Sequence, residues 1–110
     1  MEQDLRHPII ENPHQYSIVA FHFESNEDWR TSYLDLTLRK DDIVRRLRFL
    51  SPSRIRIADI WNNGGMVILD ISARQLDGLN VEVANYENHQ GSIELYARDV
   101  IDLDAQEVTS

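Results

Sequence analysis

Apolar and polar residues alternate along most of the chain between residues 34 and 103, and turn residues interrupt the alternation at intervals of roughly ten residues. The alternation is clearest in residues 34–38, 55–57, 79–83 and 93–97. Because successive side chains of a strand point to opposite faces, this period buries one face and leaves the other in water. The chain is therefore predicted to be mainly β, as a small antiparallel β-sandwich or partly open barrel of about six to seven strands with at most one or two short helical turns.

Strand-like segments and turn signals follow one another along the chain. We predict strands at residues 16–24, 33–39, 54–60, 66–73, 79–86 and 92–103. Residues 66–73 are apolar at almost every position, which predicts a strand buried on both faces at the centre of the fold. Turns are predicted at residues 40–42, 62–65, 77–78 and 88–91. After the first strand, the sequence fits two structures equally well: a single helical turn with Ser25 as its cap, or a loop carrying Trp29.

Residues 43–50 fit two structures. As a helix the segment has acids before its start, apolar residues at helical spacing, late arginines and a serine–proline stop. As a strand it places Leu47 and Phe49 inward and Arg46 and Arg48 outward. We favour the strand, since about eight residues is short for a helix and the neighbouring segments are strands.

The length of the chain, 110 residues, fits one domain. We predict an N-terminal arm at residues 1–15, a single β domain at residues 16–103 and a frayed tail at residues 104–110. Ile9 and Ile10 are expected to hold part of the arm against the body of the domain. The composition, 42% hydrophobic and 27% charged, is that of an ordinary globular domain.

The chain contains no cysteine, so disulfides, thiol nucleophiles and thiolate metal sites are excluded. No apolar run approaches the roughly 20 residues needed to span a bilayer, and the acidic, polar N-terminus lacks the pattern of a signal peptide. We therefore expect a cytoplasmic protein that has no membrane partner.

The formal net charge is -8, and it is unevenly distributed. Residues 1–28 carry six acids and one base, residues 29–61 carry eight bases and four acids, and residues 62–110 carry nine acids and two bases. Nucleic-acid binding depends on neutralising phosphates with basic groups, so this balance argues against a nucleic-acid partner. It favours a basic protein partner instead.

Four arginines of the basic middle segment would share one solvent face of two neighbouring strands. They are Arg46, Arg48, Arg54 and Arg56. One interpretation is an anion-binding or partner-binding patch, because the planar guanidinium suits carboxylate and phosphate. The favoured interpretation is a set of cross-strand salt bridges with acids such as Asp35, Glu82 or Glu94, each worth at most about 1 kcal/mol.

The histidines are too scattered to predict a zinc site, which needs three or four converging ligands. They are His7, His14, His22 and His89. His22 and Glu24 would point the same way on one strand, and we expect His22 to face solvent. No metal or other cofactor is expected.

Acid pairs for general acid–base catalysis, such as Asp99 with Asp102, are not distinguished from the other acids of the chain. Asp70 stands out because it interrupts an apolar run, and a buried carboxylate needs a partner. We expect Asp70 to pair with Arg74 or Arg98. No catalytic constellation is found, so the chain is not expected to be an enzyme.

Three aromatic residues lie at or near strand ends: Trp29, Trp61 and Tyr33. Such residues can dominate an interface, but they more often close the end of a core, and that interpretation is favoured here. An open β-domain also exposes two edge strands, which commonly pair with a second copy of the same chain.

Four segments between residues 33 and 103 carry a family resemblance: Tyr-Leu-Asp-Leu-Thr-Leu, Leu-Arg-Phe-Leu-Ser-Pro, Met-Val-Ile-Leu-Asp-Ile-Ser and Ile-Glu-Leu-Tyr-Ala-Arg-Asp-Val. In order and strand pattern they resemble small bacterial β-rich domains, some of which are immunity proteins of polymorphic toxin systems. The resemblance implies a single-domain, non-enzymatic protein that binds and blocks a cognate toxin.

Three functions remain as hypotheses. The first is a non-enzymatic binding or interaction protein, of which a toxin-immunity-type inhibitor is one form. The second is a structural or regulatory homodimer joined through an edge strand or an apolar face. The third is a small-molecule binder with a cavity between the sheets, in which Asp70 and the arginine patch would be the polar groups.

Overall fold

The computed structural model describes residues 5–57, 66–85 and 93–104, which form two antiparallel β-sheets around a shared core. The strands are β1 (Leu5–Arg6), β2 (Ser17–Glu24), β3 (Tyr33–Lys40), β4 (Ile43–Leu50), β5 (Ser53–Ile57), β6 (Met66–Asp70), β7 (Val81–Asn85), β8 (Ile93–Ala97) and β9 (Asp99–Asp102). One sheet has the order β2-β3-β4-β9 and the other has the order β1-β6-β7-β8-β5. The predicted mainly β, sandwich-like fold is confirmed.

The core follows the period-two alternation. Leu34, Leu36 and Leu38 of β3 are fully buried, as are Leu47 and Phe49 opposite them on β4. The five-stranded sheet contributes apolar side chains from three adjacent strands, including Ile68, Val81, Val83, Ile93 and Leu95. Burial of these side chains from both sheets supplies the main stabilising free energy of the domain.

Residues 43–50 are a strand, as predicted. Leu47 and Phe49 have no solvent exposure, whereas Arg46 is exposed and Arg48 is half-buried on the opposite face. All eight residues of β4 are paired with β3. The antiparallel ladder satisfies the backbone groups that an eight-residue helix would have left unpaired at its two ends.

The last predicted strand, residues 92–103, is wrong as a single element. It is two strands in different sheets, β8 in the five-stranded sheet and β9 in the four-stranded sheet. Ala97 is the last inward residue of β8 and Val100 is the first of β9, so the alternation shifts by one residue at Arg98. The chain crosses between the sheets at that shift.

The strand predicted at residues 66–73 is shorter than expected and is not central. β6 is buried at Met66, Val67 and Ile68, but Leu69 and Asp70 are partly exposed. It lies between β7 and the edge strand β1, which has only two residues, so β7 rather than β6 is the middle strand of that sheet. The burial on both faces that the apolar run predicted is confirmed only for its first three residues.

The predicted N-terminal arm contributes to the fold from Leu5 onward, because β1 pairs with β6 and Pro13–Gln15 forms a 3-10 turn. The expected contact of Ile9 and Ile10 with the body of the domain is confirmed, since Ile10 is 5% exposed and Ile9 packs against the core.

The described residues contain two further 3-10 turns, Trp29–Thr31 and Ser72–Arg74. A helical turn is present, but it begins at Trp29 and its cap is Asp28, so the predicted start with Ser25 as cap is wrong. The Asp28 carboxylate accepts a hydrogen bond from the Arg30 backbone N–H at 3.1 Å.

The aspartate–glycine turn signal is confirmed. Asp77 and Gly78 have φ of 53° and 86°, and the Leu79 N–H donates to the Leu76 carbonyl at 3.0 Å. Positive φ at both central positions defines the tight turn that this dipeptide favours. The predicted turns at residues 62–65 and 88–91 and the tail beyond residue 104 lie outside the described residues, as do Trp61 and His89. Within the described ranges, no helix has the length and apolar character that crossing a membrane requires.

Candidate functional site

The four arginines predicted to share one face are separated by the fold, so the predicted patch is wrong as a single surface. Arg46 and Arg48 lie on β4 of the four-stranded sheet, whereas Arg54 and Arg56 lie on β5 of the other sheet. The reversal at Ser51, where φ is 50°, carries the chain from one sheet to the other. Local alternation sets the face of a residue within its strand, but it does not determine which sheet the next strand joins.

Arg48 is bound within the outer face of the four-stranded sheet. Its Nε and Nη2 atoms donate to the two carboxylate oxygens of Asp35 at 2.7 Å and 2.9 Å, and its guanidinium carbon lies 3.9 Å from the centre of the Tyr33 ring. The hydrogen bonds to Asp35 raise the pKa of the Arg48 guanidinium. This two-pronged contact on one carboxylate, together with the ring contact, fixes the side chain.

Arg46 of β4 is bound to Asp104, which follows β9 in the chain. Its Nε and Nη2 atoms donate to Oδ1 of Asp104 at 3.0 Å and 2.9 Å, and its backbone N–H donates to Oδ2 at 2.8 Å. Partial burial opposes ionisation of Asp104, but the hydrogen bonds from Arg46 outweigh it and hold the pKa of Asp104 below its ordinary value.

The remaining two arginines of the predicted patch also have partners within the domain. Arg56 lies opposite Glu94 and approaches its carboxylate to 3.6 Å, and the Arg54 guanidinium lies 5.5 Å from the centre of the Tyr96 ring. Asp35 and Glu94 were among the acids expected to form cross-strand pairs, and the structure contains both pairs.

Ion pairing extends to most of the arginines of the chain. Among the described residues, six of the ten arginines form ion pairs, namely Arg30 with Asp28, Arg45 with Asp102, Arg46 with Asp104, Arg48 with Asp35, Arg56 with Glu94, and Arg74 with Glu82. The lysine of the chain, Lys40, extends toward Gln15 and the ring of Tyr16. Most of the positive charge is therefore neutralised inside the domain.

Five exposed acids, by contrast, have no ion pair or side-chain hydrogen bond in the described part of the chain. These unpaired acids are Glu11, Glu27, Asp41, Asp42 and Asp77. Within the described ranges, three exposed arginines are in the corresponding condition, Arg39, Arg54 and Arg98, and the Arg54 guanidinium lies over the Tyr96 ring. The charge that remains available at the described surface is therefore predominantly negative.

Asp70 does not pair with Arg74 or Arg98, so that prediction is wrong. Its Oδ1 accepts hydrogen bonds from the Ser72 hydroxyl at 2.6 Å and the Ser72 backbone N–H at 3.0 Å, while Arg74 pairs with Glu82. The hydroxyl contact, followed by the backbone contact, lowers the pKa of Asp70. Because β6 ends at Asp70, the carboxylate can bind the turn that follows rather than a buried arginine.

The other acids and histidines that the sequence singled out do not converge. Asp99 pairs with Leu50 and Asp102 with Leu47, so the two carboxylates lie on opposite faces of the sheet. His22 faces solvent as predicted, with its Nε2 2.9 Å from Glu24 Oε1. No group of three or more histidine, aspartate or glutamate residues that could hold a metal ion occurs among the described residues.

Trp29 is 61% exposed, so the prediction that it closes the end of the core is wrong. It lies in a 3-10 turn between β2 and β3 that stands outside both sheets. Trp61, the other tryptophan singled out as an interaction residue, lies outside the described residues.

The sequence reasoning missed an exposed aromatic surface on β2. Phe21 and Phe23 pair with the buried Leu36 and Leu34, yet they are 43% and 44% exposed. A bulge at Val19 shifts the alternation by one residue, so the inward positions of β2 change from even to odd numbers. In the sequence, the apolar positions change from an even number at Ile18 to an odd number at Phe21, and this change could have revealed the bulge.

Several cavities formed by described residues are open to solvent. One of them has a volume of about 270 Å³ and is lined by Arg30, Thr31, Ser32, Leu50, Ser51, Asn80, Arg98 and Asp99. Pockets that bind small molecules usually exceed about 300 Å³, and Asp70 does not line this one.

Comparison with known proteins adds no assignment to this geometry: no protein-family model, no curated protein and no solved structure matches the chain.

Proposed function

We propose that the chain is a non-enzymatic binding protein whose partner is a basic protein. The observation that carries the proposal is the asymmetry of charge pairing: six arginines are bound to carboxylates of the domain, whereas five exposed acids are unpaired. A partner would therefore meet negative charge on a scaffold of net charge -8.

Electrostatic attraction of this kind acts mainly on the rate of encounter. Exposed charges raise the local concentration of an oppositely charged partner and orient it before contact, and added salt weakens the effect. Paired arginines contribute little to such a field, because each is cancelled by its carboxylate neighbour a few ångströms away. The unpaired acids supply the long-range attraction in this proposal.

The form of the proposal that the sequence resemblance suggests is an immunity-type inhibitor of a bacterial toxin. Its target would be a basic, nuclease-like protein, since such enzymes need positive charge to hold a polyanion. An acidic inhibitor would compete for that same positive surface. A cytoplasmic location belongs to the proposal, because an inhibitor that protects its own cell acts there.

The experiment is affinity capture of the tagged chain from its native host at low salt, followed by identification of the bound protein and measurement of its binding kinetics. The proposal expects a partner with a basic isoelectric point and an activity that the chain inhibits. Repeated capture of an acidic protein, or a basic partner whose activity the chain leaves unchanged, would contradict the inhibitor.

Two variants that remove selected surface charges make the test specific. In one variant all five unpaired acids become amides: Glu11→Gln, Glu27→Gln, Asp41→Asn, Asp42→Asn and Asp77→Asn. These changes break no ion pair, and they are expected to slow association with the captured partner by about tenfold or more. The control removes two arginines that have no ion pair in the described part of the chain (Arg39→Gln and Arg98→Gln), which should leave association as fast as in the wild type or faster. Slowing by the control alone would refute the proposed sign of the interaction.

A further inference from the structure

Within the described part of the chain, β2 presents an open backbone edge. It is the first strand in the order of the four-stranded sheet, and among the described residues its ladder partner is β3 alone. An edge strand exposes a row of unpaired N–H and C=O groups that can pair with another strand. Natural edges are commonly protected by lysine, proline, inward-pointing charge or a bulge.

The protection on β2 is confined to one end of the strand. The bulge lies at Val19, and from Ala20 to Phe23 the strand has no charged residue and no proline. Phe21 and Phe23 add half-exposed aromatic surface along the same stretch. The regular, paired portion of β2 therefore runs over the five residues from Ala20 to Glu24, and His22 is at its centre.

We propose that two copies of this chain associate by antiparallel pairing of β2 about a twofold axis at His22. This axis maps the five-residue stretch fully onto itself, so no residue is left opposite the bulge. Each Phe21 then lies opposite the Phe23 of the second copy, on the face where both side chains are half-exposed. Ala20 lies opposite Glu24, and His22 lies opposite its own equivalent.

A second copy fits this edge better than an unrelated strand does, because the segment is complementary to itself in this register. The single charge, Glu24, meets an alanine rather than a like charge. The two Phe21–Phe23 pairs bring four half-exposed rings together, and pairs of this kind on one face stabilise strand association. The joined sheets would form one continuous eight-stranded sheet from the two four-stranded sheets.

The interface is small, and two chains of net charge -8 repel each other. The dimer is therefore weak, with a dissociation constant of roughly 10–100 µM. Added salt screens the repulsion and tightens the dimer, which is the opposite of the salt response proposed for a basic partner. The two proposals concern different surfaces, and either can fail while the other holds.

Cysteine crosslinking tests the register directly, because the chain contains no cysteine of its own. In the proposed register the two His22 Cα atoms are about 4.5–5.5 Å apart, which is within disulfide range. His22→Cys should therefore form a covalent dimer on mild oxidation. Ala20→Cys alone should not, since its two copies are about 13 Å apart along the strand. A mixture of the Ala20→Cys and Glu24→Cys chains should crosslink.

Sedimentation measures the association itself. Phe21→Lys should raise the dissociation constant of the dimer at least about 100-fold. The substitution is present in both copies and removes two aromatic contacts, and the loss of each weakens association about tenfold. Ile43→Lys is the matched control, since Ile43 is 49% exposed and lies outside β2, and it should dimerise like the wild type. Circular dichroism of each variant confirms that it is folded.

A chain that stays monomeric up to about 1 mM contradicts the proposal, given the expected dissociation constant. So does a dimer that Phe21→Lys leaves intact, or equal crosslinking of His22→Cys and Ala20→Cys. If Phe21→Lys does not fold, the crosslinking comparison decides, since His22, Ala20 and Glu24 carry no buried core side chain.

Discussion

Replacing Arg48 with alanine tests whether the arginines of this domain are structural. Arg48 makes two hydrogen bonds to Asp35 and lies against Tyr33, with 32% of its side chain exposed. A two-pronged pair at this depth is worth about 1 kcal/mol, the upper end of the range for surface pairs. The contact between the guanidinium and the ring adds about 0.5–1 kcal/mol.

Loss of the aliphatic packing of the side chain brings the expected cost of Arg48→Ala to about 2 kcal/mol. Unfolding entropy of about 2.1 cal/mol/K per residue gives roughly 0.23 kcal/mol/K for this chain, so the melting temperature should fall by about 9 °C. Urea unfolding and calorimetry measure the two quantities. In a double-mutant cycle with Asp35→Ala, the coupling energy should be about 1 kcal/mol.

Arg39→Ala is the matched control, because Arg39 lies on the neighbouring strand and is exposed. It should change stability by no more than about 0.5 kcal/mol. A structural role for Arg48 is refuted if Arg48→Ala leaves stability unchanged, or if it abolishes partner binding while the protein remains as stable as the wild type. The first result would show that Arg48 is not structural, and the second would identify it as a binding residue.

Three further perturbations test the fold. Phe49→Ala, in a fully buried position, should cost about 3–5 kcal/mol in urea unfolding, whereas Phe23→Ala should cost less than about 1 kcal/mol because the ring is half-exposed. Gly78→Val should lower the melting temperature, since φ is 86° and a branched side chain is strained there. The pKa of Asp70 is lowered by its hydrogen bonds to Ser72, so its contribution to stability is present above pH 3.8 and is lost as the pH falls through the depressed value. Asp70→Asn should remove that part of the acid dependence, and an unchanged pH profile would contradict the assignment.

The fold class could be predicted because period-two alternation constrains side chains within one strand. Leu47 and Phe49 are buried, and Arg46 and Arg48 face away from them, which the alternation alone indicated. The aspartate–glycine turn was equally accessible, since few other residues adopt positive φ at two consecutive positions.

What the sequence could not provide was the assignment of strands to sheets. Arg48 and Arg54 lie six positions apart, yet the chain changes sheets between them, so local pattern wrongly joined them in one patch. The apolar–polar alternation also continues where the chain crosses between sheets, as at Arg98, and where a strand bulges, as at Val19. At each of these points the inward residues change between even and odd numbers. Both changes can be seen in the sequence by noting whether the apolar residues of each strand have even or odd numbers.

The candidate site depended on this missing information. Six carboxylates that pair with arginines are spread from Asp28 to Asp104, and most pairs join residues distant in sequence. Composition gave the net charge of the chain, but only the fold shows which charges cancel one another. The predominance of unpaired acids therefore emerges from three-dimensional structure alone.

The salt dependence of association with the captured partner tests the central claim, that the available surface charge is negative and attracts a basic protein. The association rate constant should fall by about tenfold or more between 50 mM and 500 mM salt, and the five-amide variant should lose most of this dependence. Stopped-flow or surface-based kinetics supply both numbers. An association rate that is independent of salt, or one that rises as salt is added, would contradict the account.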